Sequence, residues 1–385
     1  MLELVYEDGG VTQRVAVKNG LTLGRSSDND VVLRDFSVSR HHAELVAGGD
    51  ADRVFLENGD VLSGKLERVD DKHVVLEAPY GKVEIDLSGD SPHTTAAIAA
   101  ELGLEDRAMV PIIRDAAKVD DDSDAVFYFP GCGSERLFSD IGLATLAMLY
   151  EVGVQTVLPP GYLCCGYPQT SAGMHDTGQR ITTDNRVLFH RVANTLNYMD
   201  IKTVIVSCGT CMDQLLKYEF EKIFPGCRLL DIHEYLMEKG VRLDGVDGVQ
   251  YLYHDPCHTP MKTHDPVKVA GSLMGQSVTL SDRCCGEAGT LGTARPDIAN
   301  QLRFRKAEEL RNGIEALSGT SRTQGQVKLL TSCPACQQGL ARYGDETGLK
   351  TDYIVVELAR HLLGPGWQDA FVDKAKAGGI ERVLL

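Results

Sequence analysis

Cysteine is the residue type in this sequence whose spacing most clearly indicates chemistry. Ten of the eleven cysteines form two sets of the same order: one single cysteine, a Cys-Cys-Gly triplet and a Cys-x-x-Cys pair. The two sets are Cys132, Cys164, Cys165, Cys208 and Cys211, and Cys257, Cys284, Cys285, Cys333 and Cys336. Thiolates are soft ligands that suit zinc, copper(I) and iron–sulfur clusters. The two sets therefore predict two metal centres.

The number of thiols in each set helps to choose among these metals. A closed structural zinc site takes four ligands, so five thiols are one more than an all-cysteine zinc site needs. A polynuclear iron–sulfur cluster can use the fifth, particularly if one sulfur bridges two irons. Zinc in one set stays open, because a spare thiol does not forbid it. A disulfide is disfavoured, since neighbours such as Cys164 and Cys165 pair only through a strained ring.

The second cysteine set repeats the first at a nearly constant offset. The single cysteine and the Cys-x-x-Cys pair recur after 125 residues, and the Cys-Cys-Gly triplet recurs after 120. Apolar strands alternate with helical segments in both halves, as in VFYFPG, QTVLPP and KTVIVS and again in YLYHDP, SVTLSD and VKLLTS. This order predicts two pseudo-repeated α/β lobes with parallel sheets. The cysteines follow the carboxyl ends of strands, where such sheets place their ligand sites.

The sequence divides into four parts. Residues 1–90 contain short alternating apolar runs separated by Gly, Asn and Asp, which predicts an all-β module. Residues 91–124 contain a short helical segment and an acidic run, and are predicted to be a linker. Residues 125–245 and 246–385 are the two predicted lobes. His254 and His258 flank Cys257, and the sequence leaves open whether they are ligands, proton donors, hydrogen-bond partners of ligands or structural residues.

Composition and charge exclude several classes of partner. The chain has 39 Lys and Arg residues against 55 Asp and Glu residues, which gives a net charge of -16. This balance argues against a nucleic-acid surface and against docking on anionic lipid. No apolar run reaches the roughly 18 residues of a spanning helix, and the first residues do not resemble a secretory signal. We expect a cytoplasmic protein that reaches a membrane only through its partners.

The cysteine motifs also resemble a known family. FPGCGSERLF, PGYLCCGYP, VSCGTCMDQL, HDPCHTPMK, DRCCGEAGTLG and SCPACQQGL are similar to the CCG (cysteine-rich) domain pair. That family includes the cysteine-rich subunit of heterodisulfide reductase, the lactate-utilisation iron–sulfur protein and the glycolate oxidase iron–sulfur subunit, and the likeness extends especially to the C-terminal segment of bacterial FAD-linked oxidoreductases. The resemblance implies a noncubane [4Fe-4S] cluster in each lobe, held by the ten cysteines, with zinc in one lobe of some members.

The resemblance implies an iron–sulfur electron-transfer protein or a subunit of an oxidoreductase. It would relay electrons from a flavin-linked 2-hydroxyacid-type dehydrogenase, or to or from a disulfide substrate. The sequence has neither a flavin or nicotinamide fingerprint nor the Cys-x-x-Cys-x-x-Cys-x-x-x-Cys run of a ferredoxin. We therefore expect an FAD-linked dehydrogenase and a ferredoxin-type iron–sulfur protein as partners.

The first residues carry a second resemblance. LTLGRSSDNDVVLRDFSVSRHHAEL is similar to the opening of a forkhead-associated domain, while the segment around Asn58 has the pattern of a small β-barrel. The resemblance implies that Arg25, Ser39 and Arg40 bind a phosphothreonine protein, since arginines and hydroxyls can hold phosphate oxygens. The alternative function is thus a phosphothreonine-peptide adaptor with zinc-stabilised C-terminal lobes and no redox activity.

Overall fold

The structure is a computed structural model that describes residues 98–120, 123–286, 291 and 295–385, together with the backbone of strands between residues 3 and 86. Two compact units are present: residues 1–95 with 290–300, and residues 96–289 with 301–385. The second unit contains all ten cysteines of the two sets.

The strands of the first unit, among its described residues, form two sheets. They are β1 (Glu3–Asp8), β2 (Val11–Ala16), β3 (Leu21–Gly24), β4 (Val31–Val32), β5 (Ala43–Val46), β6 (Asp52–Leu56), β7 (Val61–Val69), β8 (His73–Ala78) and β9 (Gly81–Asp86). Strands β1 and β2 pair with each other, and the other seven follow the order β4-β3-β5-β6-β7-β8-β9. The all-β module stays a prediction, because the segments between these strands lie outside the described residues. Arg25, Ser39 and Arg40 lie in those segments.

Strands of the second unit form one six-stranded and one four-stranded sheet. They are β10 (Met109–Ile113), β11 (Ala125–Phe129), β12 (Gln155–Val157), β13 (Ile201–Val206), β14 (Arg228–Asp231), β15 (Gln250–His254), β16 (Val278–Ser281), β17 (Val327–Thr331), β18 (Lys350–Tyr353) and β19 (Ile380–Leu384). The first-lobe sheet has the order β14-β13-β11-β12-β10-β19, and the second-lobe sheet has the order β16-β15-β17-β18. Every pairing of the second sheet is parallel, as are the pairings of β11 with β12 and β13 and of β13 with β14. The predicted α/β class with two parallel-sheet repeats is confirmed.

Helices connect these strands, as parallel pairing requires. In the described part of the second unit and the adjoining residues they are α1 (Ile98–Glu101), α2 (Ser139–Glu151), α3 (Tyr167–Ser171), α4 (His175–Thr195), α5 (Gly209–Leu215), α6 (Ile232–Glu238), α7 (Pro266–Met274), α8 (Pro296–Ser318), α9 (Pro334–Ala341), α10 (Gly344–Thr347), α11 (Ile354–Leu363) and α12 (Trp367–Lys374). The apolar helix α2 is buried along nearly its whole length and packs against α11, which follows the last strand of the second-lobe sheet. No helix in the described residues is long and apolar enough to cross a membrane.

The boundaries differ from the sequence prediction at two places. Met109–Ile113, within the range predicted as linker, is a strand of the first-lobe sheet, and the Val110 and Ile112 side chains are buried. It pairs antiparallel with β12 and with β19, which comes from the end of the chain. The first-lobe sheet is thus completed by strands from both ends of the second unit.

The segment CMDQLLKYEFEKIF was expected to be one helix, and this expectation is wrong. Helix α5 ends at Leu215 and is followed by two short 3-10 turns. Between them Glu219 has a φ of 54°, which an α-helix does not allow. The break brings the Phe220 ring onto Phe189, with centroids 5.7 Å apart, so packing in the core outweighs the helical periodicity.

Candidate metal centre

Both Cys-x-x-Cys pairs lie where a central strand passes into a helix. Cys208 follows β13 and is the residue before α5, and Cys333 follows β17 and precedes α9. Both cysteines have extended backbones, and the second cysteine of each pair, Cys211 or Cys336, lies in the first helical turn. Thiolates at these positions face the partial positive charge of a helix N-terminus. Pro334 starts α9, where its missing N–H costs no hydrogen bond.

The five sulfurs of the first lobe form one series of contacts. Hydrogen bonds join Cys132 to Cys164, Cys164 to Cys165, Cys165 to Cys211 and Cys211 to Cys208. Cys165, Cys208 and Cys211 are buried, whereas Cys132 and Cys164 are partly exposed. The first predicted set is therefore brought together at the carboxyl edge of its sheet.

The second lobe repeats this arrangement. The Sγ atoms of Cys257 and Cys284 are 3.9 Å apart, and those of Cys285 and Cys336 are 3.5 Å apart. Hydrogen bonds also join Cys284 to Cys285 and Cys333 to Cys336. Cys257 is exposed, so this set too runs from the surface to the interior.

The two sets meet inside the protein. Cys208 accepts a hydrogen bond from Cys333, its counterpart 125 residues later. Ten sulfurs therefore form one continuous series that begins near the surface at Cys132 and ends at the exposed Cys257, which we call the cysteine array. Cys227, the eleventh cysteine, forms none of the contacts that define the array, and burial raises the pKa of its thiol to about 11.

The hydrogen bonds in the cysteine array pull the pKa values of neighbouring thiols apart. Hydrogen bonds from Cys132 and Cys165 lower the pKa of Cys164 to about 3. Those from Cys211 and Cys333 hold the pKa of Cys208 well below its usual range. The donors keep their protons: hydrogen bonding to Cys165 and Cys208, with burial, raises the pKa of Cys211. Full ionisation of buried neighbouring thiols needs cations among them, so this donor set fits thiolate-bound metal.

Backbone donors repeat around the Cys-Cys-Gly triplets. The N–H groups of Gly166 and Gly286 each lie 3.4 Å from the Sγ of Cys164 and Cys284. Both glycines have positive φ values, 88° and 76°, a conformation that glycine adopts without strain. The predicted tight turns after the paired cysteines are therefore present, and they aim a donor back at the first sulfur.

Tyrosines hold the same triplets in place, and the sequence prediction missed them. The Tyr218 hydroxyl donates to the Cys165 carbonyl oxygen at 2.9 Å, and the Tyr343 hydroxyl donates to that of Cys285 at 3.5 Å. These tyrosines are separated by the same 125 residues as the cysteines. Searching the 125-residue offset for polar residues besides cysteine would have found them.

One position beside the cysteines breaks the repeat. Strand β15 ends at His254, whereas β11 ends at Phe129. A ring nitrogen of His254 and the sulfurs of Cys285 and Cys336 all lie within 4.8 Å of one another. His254 Nδ1 lies 3.4 Å from the Nζ of Lys306, which is also buried.

The other histidine of the HDPCH motif has a different environment. The Nε2 atom of His258 lies 3.2 Å from the Tyr167 hydroxyl, and its Nδ1 atom hydrogen-bonds to Asp213. Lys262 lies 2.8 Å from the same carboxylate, and Lys262 and His258 together outweigh burial and lower the pKa of Asp213. His258 is partly exposed, so its ring can exchange protons with solvent or with a bound molecule.

Comparison with known proteins agrees with this geometry. A cysteine-rich domain (CCG) family model matches residues 126–216 and 251–341, so the chain carries a pair of cysteine-rich CCG domains, as the resemblance implied. An FHA domain model matches residues 21–76. Residues 341–385 match a domain of unknown function (DUF3400).

Curated relatives carry the same cysteine-rich region. One fumarate reductase (CoM/CoB) subunit, from Methanothermobacter marburgensis, is 28% identical over 231 residues, 58% of this chain and 42% of that protein. The probable glycolate oxidase iron-sulfur subunit of Bacillus subtilis is 25% identical over 257 residues, 62% of this chain and 54% of that protein. Lactate utilization protein A of an Exiguobacterium species is 23% identical over 218 residues, 50% of this chain and 84% of that protein. The chain spans about half the length of the first two.

Proposed function

We propose that this chain is an iron–sulfur subunit of an oxidoreductase and that it transfers electrons. The observation that carries this proposal is the cysteine array, in which two equivalent sets of five sulfurs meet through Cys208 and Cys333. The names of the relatives, which include iron–sulfur subunits, support it.

The ten cysteines would hold two noncubane [4Fe-4S] clusters, one in each lobe, as the CCG resemblance implies. Such clusters supply one-electron transfer when bound. Five sulfurs per lobe support a polynuclear centre, and zinc in one lobe is the alternative that metal analysis distinguishes.

The protein's own residues hold and orient these sulfurs. The Gly166 and Gly286 N–H groups donate to sulfur, and the first turns of α5 and α9 present further N–H groups and a favourable dipole. The Cys208–Cys333 contact keeps the two ligand sets adjacent, as electron exchange between them requires. The exposed Cys257 brings one end of the array to the surface, where a partner can approach.

We propose an FAD-linked 2-hydroxyacid-type dehydrogenase as the electron donor and a ferredoxin-type iron–sulfur protein as a further partner, in the cytoplasm. The glycolate oxidase and lactate utilization relatives support this substrate class. Pull-down of the full chain from its own host, followed by absorption spectroscopy of the captured flavoprotein, tests the partner. Capture of a disulfide-metabolising protein in place of a flavoprotein would contradict it.

Reduction of a disulfide is the second candidate, and it is favoured by the hydrogen bonds of His258. Cleaving a disulfide to two thiols consumes two electrons and two protons. His258 and Tyr167, linked to each other and to Asp213, could deliver those protons beside the exposed Cys257. Loss of disulfide reduction with retention of iron in His258→Gln would support this candidate over a pure relay.

A phosphothreonine-binding adaptor with zinc-stabilised lobes is the remaining alternative. The FHA match supports the binding module, and Arg25, Ser39 and Arg40 are the residues proposed to hold the phosphate. Anaerobic purification distinguishes the alternatives. Brown protein containing iron supports the electron-transfer subunit, whereas colourless protein containing only zinc supports the adaptor.

A further inference from the structure

The two lobes place different chemistry at one equivalent position. Phe129 and His254 are separated by the 125-residue offset, end equivalent strands and are both buried, at 0% and 1% exposure. A phenyl ring offers the neighbouring sulfurs no N–H group. An imidazole can donate or accept a hydrogen bond.

The imidazole of His254 has one nitrogen bonded and the other free. Nδ1 faces Lys306, whereas Nε2 is buried and has no hydrogen-bond partner among the described residues. A buried polar atom without a partner destabilises a folded protein, so native structures rarely contain one. The sulfurs of Cys285 and Cys336 lie within 4.8 Å of the ring, which places the missing partner at the cysteines.

Lys306 determines which nitrogen carries the proton. Its buried Nζ contacts Glu309 Oε2 at 2.7 Å, the Ser281 carbonyl oxygen at 3.4 Å and the Ser281 hydroxyl, besides His254 Nδ1. An ammonium has three donors and no acceptor, and the Glu309 carboxylate stabilises its charge. His254 Nδ1 must then accept, and a neutral imidazole carries its proton on Nε2.

We propose that His254 donates its Nε2–H to the sulfur atoms of the second-lobe centre and makes that centre easier to reduce than the first-lobe centre. This proposal rests on the proposed iron–sulfur function. Hydrogen bonds to the sulfurs of a cluster stabilise the added negative charge of the reduced state and are one of the factors that set its potential. Phe129 offers no such donor, so electrons that enter the array collect preferentially in the second lobe.

The test compares His254→Phe, which copies the first lobe, with the wild-type full chain. Iron content and the reduction potential of each centre are measured on anaerobic protein by redox titration followed by electron paramagnetic resonance. We expect unchanged iron and a lower potential for one centre only. A tenfold shift of its electron-exchange equilibrium corresponds to about 59 mV for one electron. His254→Gln, which keeps an N–H donor, restores part of the shift, and His264→Phe, at a partly exposed histidine hydrogen-bonded to Glu238, changes neither potential.

Three results would overturn the proposal. Both potentials unchanged in iron-loaded His254→Phe would show that the donor has no effect. Loss of iron from that variant, or strong nitrogen coupling to the centre in pulsed spectra of ¹⁵N-histidine protein, would make His254 a ligand. Wild-type protein without iron would reject the electron-transfer function itself, and the donor role with it, so the two failures are distinguishable.

Discussion

The Tyr353 hydroxyl lies 2.8 Å from the Ser332 carbonyl oxygen in its own lobe and 2.7 Å from that of Ser207 in the other lobe. The two serines immediately precede Cys208 and Cys333, the cysteines at which the two sets meet. Each serine hydroxyl also bonds a tyrosine of its own lobe, Tyr128 or Tyr253. A tyrosine bond across the lobes therefore holds the junction of the cysteine array.

Replacing Tyr353 with Phe should weaken this junction. The change removes a fully buried hydroxyl and deprives the Ser332 carbonyl of this donor. A buried polar group left unsatisfied costs about 1–3 kcal/mol, so we expect the free energy of unfolding to fall by that amount. Denaturant titration measures it. Tyr198→Phe, at a side chain that is 66% exposed, should be nearly neutral, and equal effects of the two variants would contradict the junction role.

Replacing Gly131 with Ala should disturb the first-lobe centre. A Cβ atom on Gly131 would lie 2.6 Å from the Cys211 sulfur, closer than real contacts allow. We expect Gly131→Ala to lose the iron of the first lobe, measured as iron per chain. Gly173→Ala is the matched control, because Gly173 also has a positive φ but has nothing within 4 Å of the added atom. The steric account is wrong if both variants retain full iron.

Glu135 should make the stability depend on pH. Burial raises the pKa of its carboxyl from 4.5 to about 7, although the Ala99 N–H donates to it at 3.0 Å. The folded state then binds a proton that the unfolded state has released, so this contribution is full below pH 4.5 and is lost as the pH rises through about 7. The loss amounts to about 3 kcal/mol.

The variant Glu135→Gln keeps an acceptor for Ala99 and removes the titration. Unfolding of variant and wild type is compared by denaturant titration at several pH values between 5 and 8. We expect the variant to gain stability relative to the wild type as the pH rises through this window. A difference between the two proteins that does not vary with pH would contradict the raised pKa.

Much of the second unit follows from its sequence, because local patterns determine it. The fully buried β11 is a continuous apolar run, and the 125-residue offset relates Cys132 to Cys257 without any knowledge of the fold. The ten cysteines that the spacing predicted do lie in series. Their role as ligands stays a prediction.

Other features depend on contacts between residues distant in the chain, which local patterns do not encode. The pairing of β10 with β19 joins Met109 to Leu384, and neither segment alone indicates its partner. The Cys208–Cys333 contact requires the relative placement of two sheets. Lys306 looks like an ordinary surface residue of a helix in the sequence, yet it is buried against His254. The FHA-like residues lie outside the described part of the chain, so the phosphothreonine prediction stays a prediction.

Metal analysis of cysteine variants tests the central claim most directly. Anaerobically purified wild-type protein should contain about eight iron atoms per chain, as two [4Fe-4S] clusters require. Cys165→Ser and Cys285→Ser should each lose iron from one lobe, whereas Cys227→Ser, outside the array, should keep all of it. Wild-type protein without iron, or equal iron content in all these variants, would contradict the account.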